Sequence, residues 1–300
     1  MHIMFITRRK FLQTCAAGVA TVATNANAFA NWKTFPVLDQ RLGRVKLGKT
    51  GLTVSRLAMG TGTNGWRQQS NQTRLGMKNF VGLAEYAHEV GITFFDAADT
   101  YGSHTYVREA LKTIPREKAV ILTKIWVHAS GRSGAQQATE ILDRFRKEIN
   151  TDYLDIVLLH CQTSPNWLTE TQRLREGLSQ AKAQGVVRSL GVSCHSLEAL
   201  QAAAASEWVD VLLARINHTG SAMDGKPENV MPVLKQAHDR GAGVIGMKIF
   251  GAGALTQASQ RQQSLQYVLQ SGNVDAMTIG FENIAHVSDA VNRVNGILQS

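Results

Sequence analysis

One arrangement recurs eight times along this chain: a short run of apolar, often β-branched residues, then a stretch with a single apolar face closed by Gly or a polar turn. The runs are SRLAMGT (55–61), TFFDAA (93–98), AVILTKI (119–125), YLDIVLLH (153–160), VRSLGVSC (187–194), DVLLARIN (210–217), AGVIGMKIF (242–250) and VDAMTIGF (274–281). Near-continuous apolar strands, rather than alternating ones, belong to parallel sheets covered by helices. Between them, Phe80, Leu83, Ala84, Ala87 and Val90 share one helical face and Gly91 stops it. A longer helix is predicted over 168–184, ended by Gly185, and Ser196 is placed to cap the next. Eight such units in a row predict a closed (β/α)8 barrel, a TIM barrel, whose usual size is about 250 residues. An open doubly wound sheet would more often carry a Gly-rich turn after its first strand, and no G-x-G-x-x-G follows SRLAMGT. RVKLGKTGLTVS (44–55) reads as a β-hairpin ahead of the barrel. Its GKT lacks the upstream spacing and following helix of a phosphate loop.

The first thirty residues have a different logic. TRRKFL is followed by a modest apolar stretch and by two small-x-small sites, Ala26-Asn27-Ala28 and Ala28-Phe29-Ala30. Basic, apolar and cleavage regions in that order describe a signal peptide. The adjacent Arg8 and Arg9 before Phe11 and Leu12 resemble the twin-arginine (Tat) pattern. The expectation is a signal over 1–30, a barrel domain over 31–300, export by the Tat machinery and a periplasmic location. Elsewhere nothing approaches the roughly 20 apolar residues of a membrane-spanning helix. Of three cysteines, Cys15 lies in the signal, and Cys161 and Cys194 alone make no disulfide framework. The formal charge is +9, or about +6 once Arg8, Arg9 and Lys10 of the expected signal are set aside, and that balance suits an anionic cofactor. No Lys/Arg cluster with interleaved aromatics supports nucleic-acid binding.

Barrels of this kind gather their chemistry where strands leave at their C-terminal ends. Those ends carry Asp96, then Asp99 and Tyr101; Lys124; His160-Cys161; Ser193-Cys194-His195; Asn217-His218; Lys248 with the turn FGAGAL (250–255); and GFEN (280–283). A buried Lys beside a carboxylate keeps its charge. A Tyr close to that ammonium is expected to ionise more readily, and His160 to bond a substrate oxygen. Such a set fits carbonyl reduction, in which a proton donor faces the carbonyl and a separate cofactor provides hydride.

FFDAADTYG, with Asp96 and Tyr101, resembles the signature of the aldo/keto reductase family; LTK and LLH supply Lys124 and His160. LGKTGLTVSRLAMGT and GVS match as well, and the likeness runs over roughly 44–295. The resemblance implies an NAD(P)H-dependent reductase of small aldehydes or ketones, with Tyr101 as proton donor, Asp96 and Lys124 tuning it, and His160 orienting the carbonyl. It implies cofactor contacts from Ser193, Cys194, Asn217, Lys248, Phe250, Gly251, Gly253, Leu255, Asn283 and His286. NADP is expected, with NAD also admissible, because the basic residues that hold a 2′-phosphate in the family are unmatched in GFENIAHVSDAV (280–291). Lys248 is the expected compensation. Cys194 replaces a family Asn, and Ile216 a Tyr that stacks on the nicotinamide. No metal is expected. Two alternatives stay open: a cofactor-binding sensor barrel with little turnover, and a metal-binding barrel using His160, Cys161, Cys194, His195 and His218. Against the second, neighbours on a strand point to opposite faces. Trp66, Trp126 and Trp167 are candidates for pocket lining or for packing.

Overall fold

The computed structural model describes residues 41–128 and 137–300; the signal expected over 1–30 lies outside them. A two-stranded antiparallel hairpin, β1 (Arg44–Lys46) and β2 (Thr53–Ser55), comes first. Eight parallel strands then close a barrel in chain order: β3 (Leu57–Gly60), β4 (Phe94–Asp96), β5 (Val120–Trp126), β6 (Leu154–Gln162), β7 (Val187–Cys194), β8 (Val211–Arg215), β9 (Gly243–Met247) and β10 (Ala276–Gly280). Closure is the β10–β3 ladder, with Met277 opposite Leu57 and Gly280 opposite Gly60. This is the (β/α)8 barrel with an N-terminal hairpin that the repeated pattern predicts.

Strand alternation divides the apolar residues into two layers. Ala58, Phe94, Leu122, Ile156, Leu158, Val211, Leu213, Ile245 and Ala276 fill the inside of the barrel. Leu47, Leu52 and Val54 of the hairpin join that cluster, so the hairpin plugs the N-terminal end and leaves the C-terminal mouth for chemistry. The alternate residues, among them Phe95, Ile121, Val157, Leu159, Val192 and Cys194, meet the surrounding helices. Those helices include α1 (Asn71–Arg74), α2 (Met77–Glu89), α3 (His104–Ala110), α4 (Ala138–Ile149), α5 (Trp167–Glu170) and α6 (Gln172–Ala183). α7 (Leu197–Ala205), α8 (Pro227–Arg240), α9 (Ala258–Gln270) and α10 (Ile284–Gln299) complete the ring.

The helix predicted over 168–184 is two helices, because the Thr171 hydroxyl turns back to the Trp167 carbonyl at 2.7 Å and the chain leaves helical geometry there. Ser196 caps α7 by accepting from the Ala199 N–H at 3.1 Å, as predicted. Gly91, at φ +99°, ends the α2 turn against the Leu42 backbone, where a Cβ has no room.

Candidate active site

Asp96, Lys124 and His160 occupy inward positions at the C-terminal ends of β4, β5 and β6. Two residues apart from Phe94, Leu122 and Leu158, they continue the inner face upward and replace apolar packing with polar groups. Tyr101 arrives from a single turn of tight helix, Asp99–Tyr101, directly after β4. Gly102 at φ +66° ends that turn against the Gln68 backbone, where a Cβ would collide with the carbonyl. Gly62 and Gly65 let the Tyr101 ring lie against the chain, since a Cβ on either would run into the ring.

The four side chains meet. Lys124 Nζ donates to Asp96 Oδ1 and, at 2.9 Å, to the Ala97 carbonyl. It stands 4.8 Å from the centre of the Tyr101 ring. Thr278 on β10 donates to the other Asp96 oxygen at 2.8 Å. Tyr101 Oη and His160 Nε2 are 3.4 Å apart, and His160 Nδ1 is enclosed without a hydrogen-bond partner.

Electrostatics corrects one expectation. Burial raises the Tyr101 phenol above its ordinary value; Lys124 pulls it down, Asp96 pushes it up, and the net direction is upward. The ammonium does favour ionisation of Tyr101, as expected, but burial outweighs it, and the phenol keeps its proton at neutral pH. Burial by itself would lower Lys124, but Asp96 and Tyr101 outweigh it and hold the ammonium above its ordinary value. Burial, then Lys124, depress His160 well below the usual imidazole range, so the ring is neutral. The site thus holds a protonated phenol, a neutral imidazole and a charged Lys–Asp pair.

Behind Tyr101 runs a polar chain of which sequence reasoning marked only Asp99. Arg144 on α4 grips both oxygens of Asp99 (2.8 and 3.0 Å) and reaches Glu148 at 3.2 Å. Glu148 pairs with His104 Nδ1 at 2.7 Å, and His104 Nε2 meets Thr123 Oγ1 at 2.7 Å. Both ends of this chain adjoin catalytic candidates: Asp99 opens the turn that Tyr101 closes, and Thr123 precedes Lys124. The only sequence signal was an Arg, a Glu and a His in helices facing the strand ends, which surface helices also supply.

The residues proposed for cofactor contact scatter. A cleft of about 760 Å³ runs from Asp96 and Tyr101 along β9 and β10 to the starts of α9 and α10. Lys248, Phe250, Gly253, Leu255 and His286 line it. Gly251 is buried and does not line it, and Asn283 spends its side chain capping α10 at the His286 N–H (2.9 Å). Ser193 faces the mouth, where its hydroxyl accepts from the Cys161 N–H at 2.9 Å. Two candidates are placed elsewhere. Cys194, fully buried, points into the helix layer, because its neighbour Ser193 takes the inward position. Asn217 is also fully buried; its amide donates to the Ser221 and Lys248 carbonyls (2.8 and 3.1 Å) and its oxygen accepts from Thr219. It ties the β8 loop to the β9 loop. Thr278, Arg261, Glu282 and Asp289 line the cleft too and were not singled out from sequence.

The other side of the mouth carries a second polar group. His195 Nδ1 lies 3.1 Å from Cys161 Sγ and 2.5 Å from Arg215 Nη2, and Arg215 pairs with Asp224 at 3.1 Å. Burial, then Arg215, pushes His195 down to about 3, and burial raises Cys161. Of the five His and Cys residues weighed as metal ligands, the structure joins Cys161 and His195 but sends Cys194 out of the barrel. Among the described residues no group of three or more His, Cys, Asp or Glu is placed to hold a metal. Trp126 packs edge-on to His160 (5.4 Å) and Trp66 (5.0 Å), forming an aromatic wall beside the site. Trp167, fully buried against Trp208, belongs to the core instead.

Fold and site together define a barrel oxidoreductase with a buried Asp–Lys pair beside a Tyr and a His. The chain belongs to the aldo/keto reductase family, whose model matches residues 56–296. The NADH-specific methylglyoxal reductase of Escherichia coli is 25% identical over 268 residues, 83% of this chain and 79% of that protein. Methylglyoxal reductase YeaE of the same organism is 34% identical over 143 residues, covering 47% of this chain and 46% of that protein. Among solved structures, the holo form of an aldo-keto reductase from Bacillus halodurans superposes with a TM-score of 0.69 at 18% identity, covering 85% of this chain and 91% of that one. An aldo/keto reductase from Klebsiella pneumoniae in complex with NADP and acetate gives 0.63 at 19% identity, covering 85% and 90%.

Proposed function

We propose that this protein reduces aldehyde or ketone carbonyls with a nicotinamide dinucleotide, Tyr101 giving the proton. The observation that carries the reading is the meeting of Tyr101 Oη and His160 Nε2, 3.4 Å apart, over a charged Lys124–Asp96 pair at the head of a long cleft. A carbonyl oxygen seated between phenol and imidazole accepts a hydrogen bond from each, which fixes the orientation of its carbon. A nicotinamide held in the cleft would supply the hydride for that carbon. Tyr101, protonated because burial raises it, passes its proton to the oxygen, and Lys124 stabilises the phenolate left behind. The lining of the cleft suits a dinucleotide: Lys248 near the reacting end, the backbone of the 250–255 turn along the middle, and the start of α9 beyond it.

The test is Tyr101→Phe. With methylglyoxal, the substrate named for the Escherichia coli relative, as first probe, kcat should fall at least about 100-fold while dinucleotide binding persists. Near-wild-type kcat would overturn the assignment. A sensor with little turnover draws support from Ser193 and Asn217 being engaged within the protein. Tight dinucleotide binding without turnover on any carbonyl would favour it. The same proposal includes export: residues 1–30 carry the twin-arginine pattern, so the Tat machinery is the partner and the periplasm the destination.

A further inference from the structure

We infer that the cleft selects NAD(H) over NADP(H), with Glu282 the residue that decides it. The inference rests on the nicotinamide reading above. If the nicotinamide lies where Tyr101 and His160 act, the adenosine half must occupy the other end of the same cleft, which closes on Arg261, Glu282, His286 and Asp289. The two cofactors differ there by one group: a neutral ribose hydroxyl, or a phosphate of about two negative charges.

The charges at that end do not suit a phosphate. Glu282, half-buried, is aimed by Asn71, whose amide donates to Oε1 at 2.7 Å. Asp289 takes a fork of two 2.9 Å bonds from Arg293. Arg261 lines the cleft but is committed, donating to the Thr256 carbonyl at 2.5 Å and lying 3.6 Å from Asp289. Arg74, exposed on α1, is drawn to Gln69 and Asn71 at 3.5 Å each. His286 is held below its ordinary value by burial, so it contributes no charge at neutral pH. Two carboxylates thus offset the two guanidinium groups that meet at Asp289, those of Arg261 and Arg293. The start of α10 would favour an anion, but Asn283 has already taken the His286 N–H.

Lys248, expected from sequence to compensate for the missing basic residues, is at the opposite end. It feels Arg215, Asp96 and Lys124, the charges of the catalytic mouth. A 2′-phosphate therefore meets carboxylates without a dedicated cation, whereas a ribose hydroxyl finds in Glu282 an acceptor already oriented.

Titration of the purified protein with NADH and with NADPH, followed by isothermal calorimetry, reads the preference directly. NADH should bind at least about tenfold more tightly, like-charge contact being the cause of the difference. Glu282→Gln, which keeps the shape and the Asn71 contact, should shrink the ratio, and Glu282→Arg should shrink it further or invert it. NADPH binding as tightly as NADH, or an unchanged ratio in both variants, overturns this inference alone. Binding of neither dinucleotide overturns the nicotinamide reading and this inference with it.

Discussion

The guanidinium of Arg144 holds both carboxylate oxygens of Asp99, 45 residues earlier in the chain. Asp99 is almost wholly buried and opens the turn that ends at Tyr101, so a helix on the outside of the barrel sets the position of the phenol. Paired guanidinium–carboxylate bonds fix direction as well as distance, which a Lys in place of Arg does not reproduce.

Arg144→Met should lower kcat about tenfold with little change in KM, because Tyr101 loses alignment while the cleft stays intact. Steady-state kinetics on a carbonyl substrate checks this. A rise in KM alone would place Arg144 in substrate binding instead.

The second prediction concerns Lys124. Its charge opposes the burial that raises Tyr101, so Lys124→Met should push the phenol further up. In the alcohol-oxidising direction the phenolate is the required form, and the alkaline rise in rate should move to higher pH. In the reducing direction the donor stays protonated through neutral pH, but it becomes a weaker acid and kcat falls. A pH–rate profile unchanged in the oxidising direction would remove Lys124 from the tuning role.

Gly62 offers a steric test that leaves every polar group in place. A Cβ there enters the space of the Tyr101 ring, so Gly62→Ala must displace the phenol or the loop that carries Gly62. The expected result is a folded protein by circular dichroism with kcat reduced about tenfold or more, since a misplacement near 1 Å is enough for a loss of that order. Full activity would mean that the ring position is not critical.

Export is tested at the other end of the chain. Arg8→Lys together with Arg9→Lys preserves charge and removes the arginine pair that the Tat machinery reads. The protein should then be found folded in the cytoplasmic fraction. Its continued appearance in the periplasm would show that these residues do not direct it by that route.

Some positions were legible because they depend on local periodicity. The inward direction of Asp96, Lys124 and His160 follows from counting by twos along three apolar strands, and the strand ends mark the mouth. The same count applied to Ser193-Cys194 predicts that only one of the pair faces inward, which is how Cys194 came to lie among the helices. Asn217 resisted this reasoning: it sits beyond the end of β8, where the loop rather than the strand decides its direction, and the backbone carbonyls that claim it come from Ser221 and Lys248.

The sequence by itself determined the barrel, the hairpin ahead of it and the strand ends at which chemistry gathers, because eight repeats of one apolar pattern admit few other ways to bury their faces. Only the tertiary structure decided that Arg144 reaches Asp99, that Lys248 lies at the Asp96–Lys124 end of the cleft, and that Glu282 and Asp289 stand away from it. It also decided the direction in which Tyr101 is shifted. Each of these is a sum of burial and charge over residues far apart in the chain, and spacing along a strand carries no information about how such sums come out.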